Sequence, residues 1–210
     1  HLIEYDDVMN KQRESIYTLR RELLEGKVRV EETEAVDTRG YLFNISEELL
    51  DSLIDTYCPE DQDPGEWDLE ALRREAARDF GLEPAEVAGL DFAGRTAGQI
   101  RDGIWDLARK KYEAKEAAVG RDLLQRVERD IMLQVVDTQW KVHLYSLDHL
   151  KEGIGLRGYG QRDPLVEYKK ESYALFQDMK ARIDEETVRY LFWLRATADE
   201  PLSVRAERHA

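Results

Sequence analysis

Between Gly120 and Gly153 the sequence runs for 32 residues without glycine or proline, and its centre, LLQRVERDIMLQVVDTQWKVHLYSLDHL, keeps apolar side chains at spacings of three and four. That pattern predicts one uninterrupted helix over 121–152, about 48 Å long at 1.5 Å per residue. Its centre is apolar on more than one face, which predicts burial against several neighbours. Few folds accommodate such an element without a partner of similar length.

The partner follows directly. Helical periodicity resumes at Asp163-Pro164, where Asp suits the N-cap and Pro the first helical position. The stripe Leu165, Tyr168, Leu175, Phe176, Met179, Ile183, Tyr190, Leu191 and Leu194 carries it to about Arg195. Two matched helices joined by a short turn pack most simply as an antiparallel hairpin, here within residues 119–195. Residues 196–210 lose the pattern and are expected to be a flexible tail.

Upstream, Tyr5, Val8, Met9, Ile16, Leu19 and Leu23 define one amphipathic helix over residues 3–25, with Gly26 as its stop. Periodicity fades at KVRVEETEAVDTRGY, so a boundary is expected there. Three of the five prolines, Pro59, Pro64 and Pro84, fall in the segment that follows. Asn44 and Glu47 can form a capping box for a helix ending at Cys58-Pro59, Asp68 can cap a second helix closed by Gly81, and Thr96 with Gln99 opens a third. These helices give residues 31–118 the makings of a small domain with its own core. The chain begins His1-Leu2-Ile3 inside a helical pattern, so we read it as a piece of a longer protein. The expected fold class is all-α.

Charge separates the regions. Residues 1–30 hold 6 acids and 6 bases, residues 31–118 hold 23 acids and 10 bases, and residues 119–210 hold 16 acids and 15 bases. The middle region therefore carries nearly all of the net charge of −14. Nucleic acid is a poor partner for such a surface, because phosphate neutralisation needs clustered Lys and Arg. One cysteine, Cys58, excludes an internal disulfide and points to a reducing compartment. No apolar run approaches the ~20 residues of a membrane span.

The loop between the long helices, LKEGIGLRGYGQRDP, contains Gly153-x-Gly155-x-x-Gly158, the spacing of a dinucleotide fingerprint. That fingerprint works where a strand feeds a helix N-terminus; here a long helix precedes it, and no P-loop sequence occurs anywhere in the chain. The region is therefore not expected to be an enzyme by itself. Two readings stay open for the four glycines at 153, 155, 158 and 160. They serve a plain turn, or they give pliancy to a probe exposing Ile154, Leu156 and Tyr159 with Lys151, Arg157 and Arg162. His143 and His149 lie on different faces of their helix and do not suit shared metal ligation. Trp140 and Trp193 read as core, and the pairs Asp6-Asp7, Glu47-Glu48 and Glu185-Glu186 as solvated faces.

Two blocks, EYDDVMNKQRESIYTLRRELL (4–24) and MLQVVDTQWKVHLYSLDHLKEGIGLRGYGQRDPLVEYKKESYALF (132–176), resemble the C-terminal part of the SecA family of bacterial preprotein translocase motors. The run Leu156-Arg157-Gly158-Tyr159 followed by Gln161-x-Asp163-Pro164 carries most of the likeness. The resemblance implies that residues 1–30 belong to a helical scaffold, 31–118 to a helical wing, and 119–195 to the returning scaffold and a two-helix finger. It implies a fingertip of Ile154, Leu156, Arg157, Tyr159 and Arg162 that meets the SecYEG channel and unfolded preprotein, and a regulatory contact to the motor domains through Trp140 and Arg157. ATP and magnesium would belong to motor domains outside these residues, and zinc to a tail outside them. A cytoplasmic protein peripheral to the inner face of the plasma membrane is implied, and a homodimer is left open. The family usually carries His at the position of Gly155 and often Ala at that of Gly160, so a looser tip is expected here. The rival reading is a structural docking module, coiled-coil-like, with an inert tip.

Overall fold

A computed structural model describes residues 2–157, 163–197 and 200–203. In chain order the elements are α1 (Leu2–Glu25), β1 (Val28–Arg29), β2 (Ala35–Val36), α2 (Thr38–Tyr57), a 3₁₀ turn (Pro64–Glu66), α3 (Leu69–Phe80), α4 (Pro84–Ala88), α5 (Ala97–Val119), α6 (Arg121–Leu156), α7 (Pro164–Trp193), β3 (Arg195–Thr197) and β4 (Glu200–Ser203). The fold is all-α, with two small antiparallel hairpins, β1–β2 and β3–β4. The chain divides into two compact units. The first comprises His1–Val36 and Met132–Ile183, the second Asp37–Ile131 and Asp184–Ala210.

In the first unit the two long helices run antiparallel. Partners move down α7 as they climb α6: Arg182 meets Gln139, Phe176 meets His143, and Glu171 meets Arg157. α1 lies against both. Its Arg20 makes a two-pronged bond to Asp137 of α6 at 2.6 and 3.1 Å, and its Tyr5 ring packs edge-on to Tyr168 of α7 at 4.7 Å. The apolar seam between them contains Leu150, Ile154 and Tyr168, with Tyr5, Val8 and Leu175 packed around it. The expected burial of α6 on several faces is met at His143, which touches α1 through Gln12 and α7 through Phe176.

The second unit is built by short-range caps and an aromatic core. Asp68 caps α3 through the Ala71 N–H, Gly81 closes it with φ +60°, and Thr96 and Gln99 form a capping box on α5. The rings of Phe80, Phe192 and Tyr112 meet in series, the first pair edge-on and the second tilted, 5.4 and 5.2 Å between centroids. The end of α7 seats on α3: Trp193 donates to the Arg78 carbonyl at 2.6 Å, and Arg189 pairs with buried Asp79 at 3.0 Å. Gly81 makes this seat possible, because a Cβ there would lie 2.6 Å from the Phe192 carbonyl oxygen. Burial pushes the Asp79 carboxyl up, against the pull of Arg189.

Four expectations are corrected. α2 begins at Thr38, six residues before Asn44, because Asp37 accepts the Gly40 N–H at 2.8 Å and is the true cap. α6 continues through Gly153 and Gly155 to Leu156, because the residue between those glycines, Ile154, is buried and packing outweighs their poor propensity. Arg195–Thr197 and Glu200–Ser203 pair as β3 and β4, where residues 196–210 were expected to be a flexible tail; residues 198–199 and 204–210 lie outside the described residues. Tyr190, assigned to the apolar stripe, is 40% exposed. α4 and the 3₁₀ turn went unread, being too short to show a period.

Candidate functional site

The candidate site is the distal end of the hairpin in the first unit. α6 brings Ile154 and Leu156 there on its last turn and Arg157 just after it, and α7 starts from Asp163, whose carboxylate accepts the Leu165 N–H at 3.0 Å. Leu156 is 81% exposed, the most open large apolar side chain among the described residues. Arg157 donates to Glu171 of α7 at 2.7 Å, a solvent-exposed pair that ties the two helices below the loop. Lys151 sits with its Nζ 5.6 Å from the centre of the Tyr5 ring on α1, so its charge is drawn back along the helices.

Ile154 is a correction. The sequence suggests an exposed tip residue, but the side chain is only 2% exposed and packs with Leu150 and Tyr168. The helix continues one turn further than expected, which rotates Ile154 onto the inner face. Tyr159 and Arg162 lie outside the described residues. Gly153 and Gly155 belong to α6, and a Cβ at either would meet nothing within 4 Å, so neither is required by crowding. They also sit at the carbonyl end of a helix, where the dipole repels an anion, the reverse of a pyrophosphate cradle.

Trp140 is buried on α6, 5.5 Å from the His143 ring. His143 itself is the centre of a polar chain that sequence reading passed over. Its Nε2 lies 2.6 Å from the Gln12 Oε1, and the Gln12 amide donates to the Ser172 carbonyl at 3.3 Å, so all three helices meet at one buried string of polar groups. The imidazole Nδ1 is buried without a hydrogen-bond partner. Burial first, and the Arg182 charge second, hold the imidazole down to about 4, so it is neutral at pH 7 and donates from Nε2. The signal that could have revealed it is Gln12 itself, a polar residue four before Ile16 on the inner stripe of α1.

A second missed cluster lies in the other unit. Glu128 is fully buried, and accepts from Tyr112 at 2.6 Å, Thr38 at 2.8 Å and Arg121 at 2.9 Å. It occupies an apolar slot four residues after Leu124 and four before Met132, which is the clue the sequence offered. Cys58 is buried, and burial pushes its thiol up, so it is not an activated nucleophile. Among the described residues no group of three or more His, Cys, Asp or Glu side chains could hold a metal ion, and no helix is long and apolar enough to cross a membrane.

The SecA Wing and Scaffold domain family matches residues 1–195. The chain is 45% identical over 197 residues to the protein translocase subunit SecA of Solibacter usitatus, covering 93% of this chain and 19% of that protein. It is 43% identical over 212 residues to that of Koribacter versatilis, covering 99% and 20%. The SecA of Geobacter metallireducens is 42% identical over 205 residues, covering 95% and 21%. The chain thus spans about a fifth of the length of these curated relatives.

Proposed function

The chain belongs to the SecA wing and scaffold family, and from that premise we propose that it serves protein translocation as the mechanical part of a longer motor protein. The hairpin end of α6 and α7 presses on unfolded preprotein at the SecYEG channel, and α1 passes motor movement to that hairpin. Residues 31–118 act as the wing, residues 1–30 as the first scaffold segment, and residues 119–195 as the returning scaffold and the two-helix finger. ATP and magnesium belong to motor domains elsewhere in the longer protein, and zinc to its tail. The protein works from the cytoplasm at the inner membrane face.

The observation that carries this reading is Leu156. An apolar side chain left 81% exposed at the end of a 36-residue helix, with the helices braced beneath it by Arg157–Glu171 and by Ile154 against Tyr168, suits contact with something outside the fold. Apolar contact is tolerant of sequence, as a motor moving many substrates requires. Ile154 then supports the tip from within, and Trp140 acts on the motor through packing in the shaft. Arg157 bears on the tip and, with Trp140, restrains the ATPase of the motor domains, and Arg162 adds a positive charge to the sequence segment that carries Tyr159.

The test is Tyr159→Ala, and separately Leu156→Ala, in the full-length translocase subunit, with preprotein transport into membrane vesicles and basal ATP hydrolysis measured together. Transport should fall several-fold while basal hydrolysis stays near the parent value. Unchanged transport in both variants would favour a docking arm with an inert tip.

A further inference from the structure

α5 and α6 are separated by one residue. Gly120 has φ +87° and ψ 146°, a backbone conformation that essentially only glycine adopts, and a Cβ there would meet nothing within 4 Å. Glycine is therefore needed for the bend itself, not for space. With ordinary helical angles at Gly120, α5 and α6 would merge into one rod over residues 97–156. Glycine permits either form with no steric penalty, so other contacts must select the bent one.

The groups around the bend suit that task. Arg121 is the first residue after it, and its guanidinium reaches three carboxylates on three elements. Nη1 lies 2.9 Å from Glu128 of α6 and 3.3 Å from Glu116 of α5, and Nη2 lies 2.9 Å from Asp37, the cap of α2. Glu116 is also bonded by Arg39 of α2 at 3.0 Å. The buried Glu128 is completed by Tyr112 of α5 and Thr38 of α2, and Lys115 of α5 also faces it. Straightening at Gly120 would pull Arg121 away from Glu116 and Asp37, and would separate Glu128 from donors that lie on the far side of the bend. Burial pushes Asp37 up, yet the Gly40 N–H and Arg121 outweigh it and hold it below its ordinary value, so it stays charged across neutral pH.

We propose that Gly120 is a hinge and Arg121 its latch, a conformational device that fixes the direction in which α6 leaves α5 and that opens when the guanidinium loses its carboxylates. It rests on this cluster alone and is independent of what the hairpin end touches.

The experiment places nitroxide labels at Ala114→Cys on α5 and Asp130→Cys on α6, both exposed, with Cys58→Ala as background, and reads the distance distribution by pulsed electron resonance. The latched chain should give one narrow distance. Arg121→Lys keeps one positive charge beside Glu128 but cannot bridge three carboxylates, and should add a second population near the straight-helix backbone separation, about 24 Å for sixteen residues. Gly120→Ala combined with Arg121→Met should make that population dominant. Should Arg121→Met fold poorly, Arg121→Lys carries the test by itself, because it keeps a positive charge beside Glu128. An Arg121→Lys chain with the parent's single narrow distance would overturn the latch.

Discussion

His143→Phe is the most informative single change in the first unit, because two of its effects can be sized from the structure. A phenyl ring fits between Trp140 and Phe176, whose rings lie 5.5 and 5.7 Å from the imidazole. At pH 7 the change removes the unpartnered Nδ1, which is favourable, and leaves the Gln12 Oε1 without its donor, which costs about 1–3 kcal/mol. The two largely offset, so the variant should stay within about 1 kcal/mol of the parent. Gln12→Leu strips the imidazole of its only bond while leaving it buried, and should cost about 2 kcal/mol.

Acid separates parent from variant. The imidazole is held down to about 4 in the fold, against about 6.5 in the unfolded chain, so the unfolded chain takes up the proton first. Stability is fully present above pH 6.5 and is lost as pH falls toward 4; integrating to pH 4.5 gives about 2.5 kcal/mol. The Phe variant lacks this loss. Native-state hydrogen exchange of peptides from residues 135–150, compared between parent and variant at each pH, should show the variant gaining by about that amount between pH 7 and 4.5. Parallel pH profiles would mean that the imidazole is not desolvated, and the reading of the three-helix polar string would be wrong.

Two further outcomes follow from burial and from charge. Ile154→Ala should cost about 3 kcal/mol in thermal unfolding while Leu156→Ala stays within about 0.5; equal small effects would restore Ile154 to the surface. Lys115 donates to the Leu191 and Phe192 carbonyls at 2.7 and 3.0 Å, and burial, then Arg195 and Lys111, hold it down to about 7. The parent therefore loses stability as pH falls from 10.5 toward 7, so the urea midpoint of Lys115→Met should gain on the parent over that window, and a constant gap would contradict the desolvated amine.

Local chemistry made much of this fold readable. The caps at Asp68 and Thr96, the stop at Gly81 and the start at Asp163-Pro164 each act within four residues, and periodicity along α6 and α7 is long enough to survive noise. What escaped was set at a distance. Asp37 looked like one acid among many, because its role as a cap depends on Gly40 and its tie to Arg121 spans 84 positions. The end of α6 was placed at the first glycine, yet Ile154 between two glycines is held by Tyr168 on another helix.

The largest omissions share one cause. Gln12, Glu128 and His143 stand where an apolar stripe expects hydrocarbon, and a search for apolar spacing passes over them. Each is nonetheless buried and bonded across elements. A buried polar group adds little net stability but penalises any packing that leaves it unpaired, so its effect is to exclude alternatives. Long helices with regular apolar stripes need such exclusion, since a slip of one turn along the stripe would bury nearly the same hydrocarbon. In the first unit the exclusion is neutral, Gln12 reading one carbonyl and one imidazole, so it can sit in mid-helix far from water. In the second it is ionic, and its arginine stands at the first residue of α6, 29% exposed, where solvent still reaches it. The neutral string thus fixes register on the inner faces where the three helices meet, and the charged one fixes an angle where the chain turns at the surface.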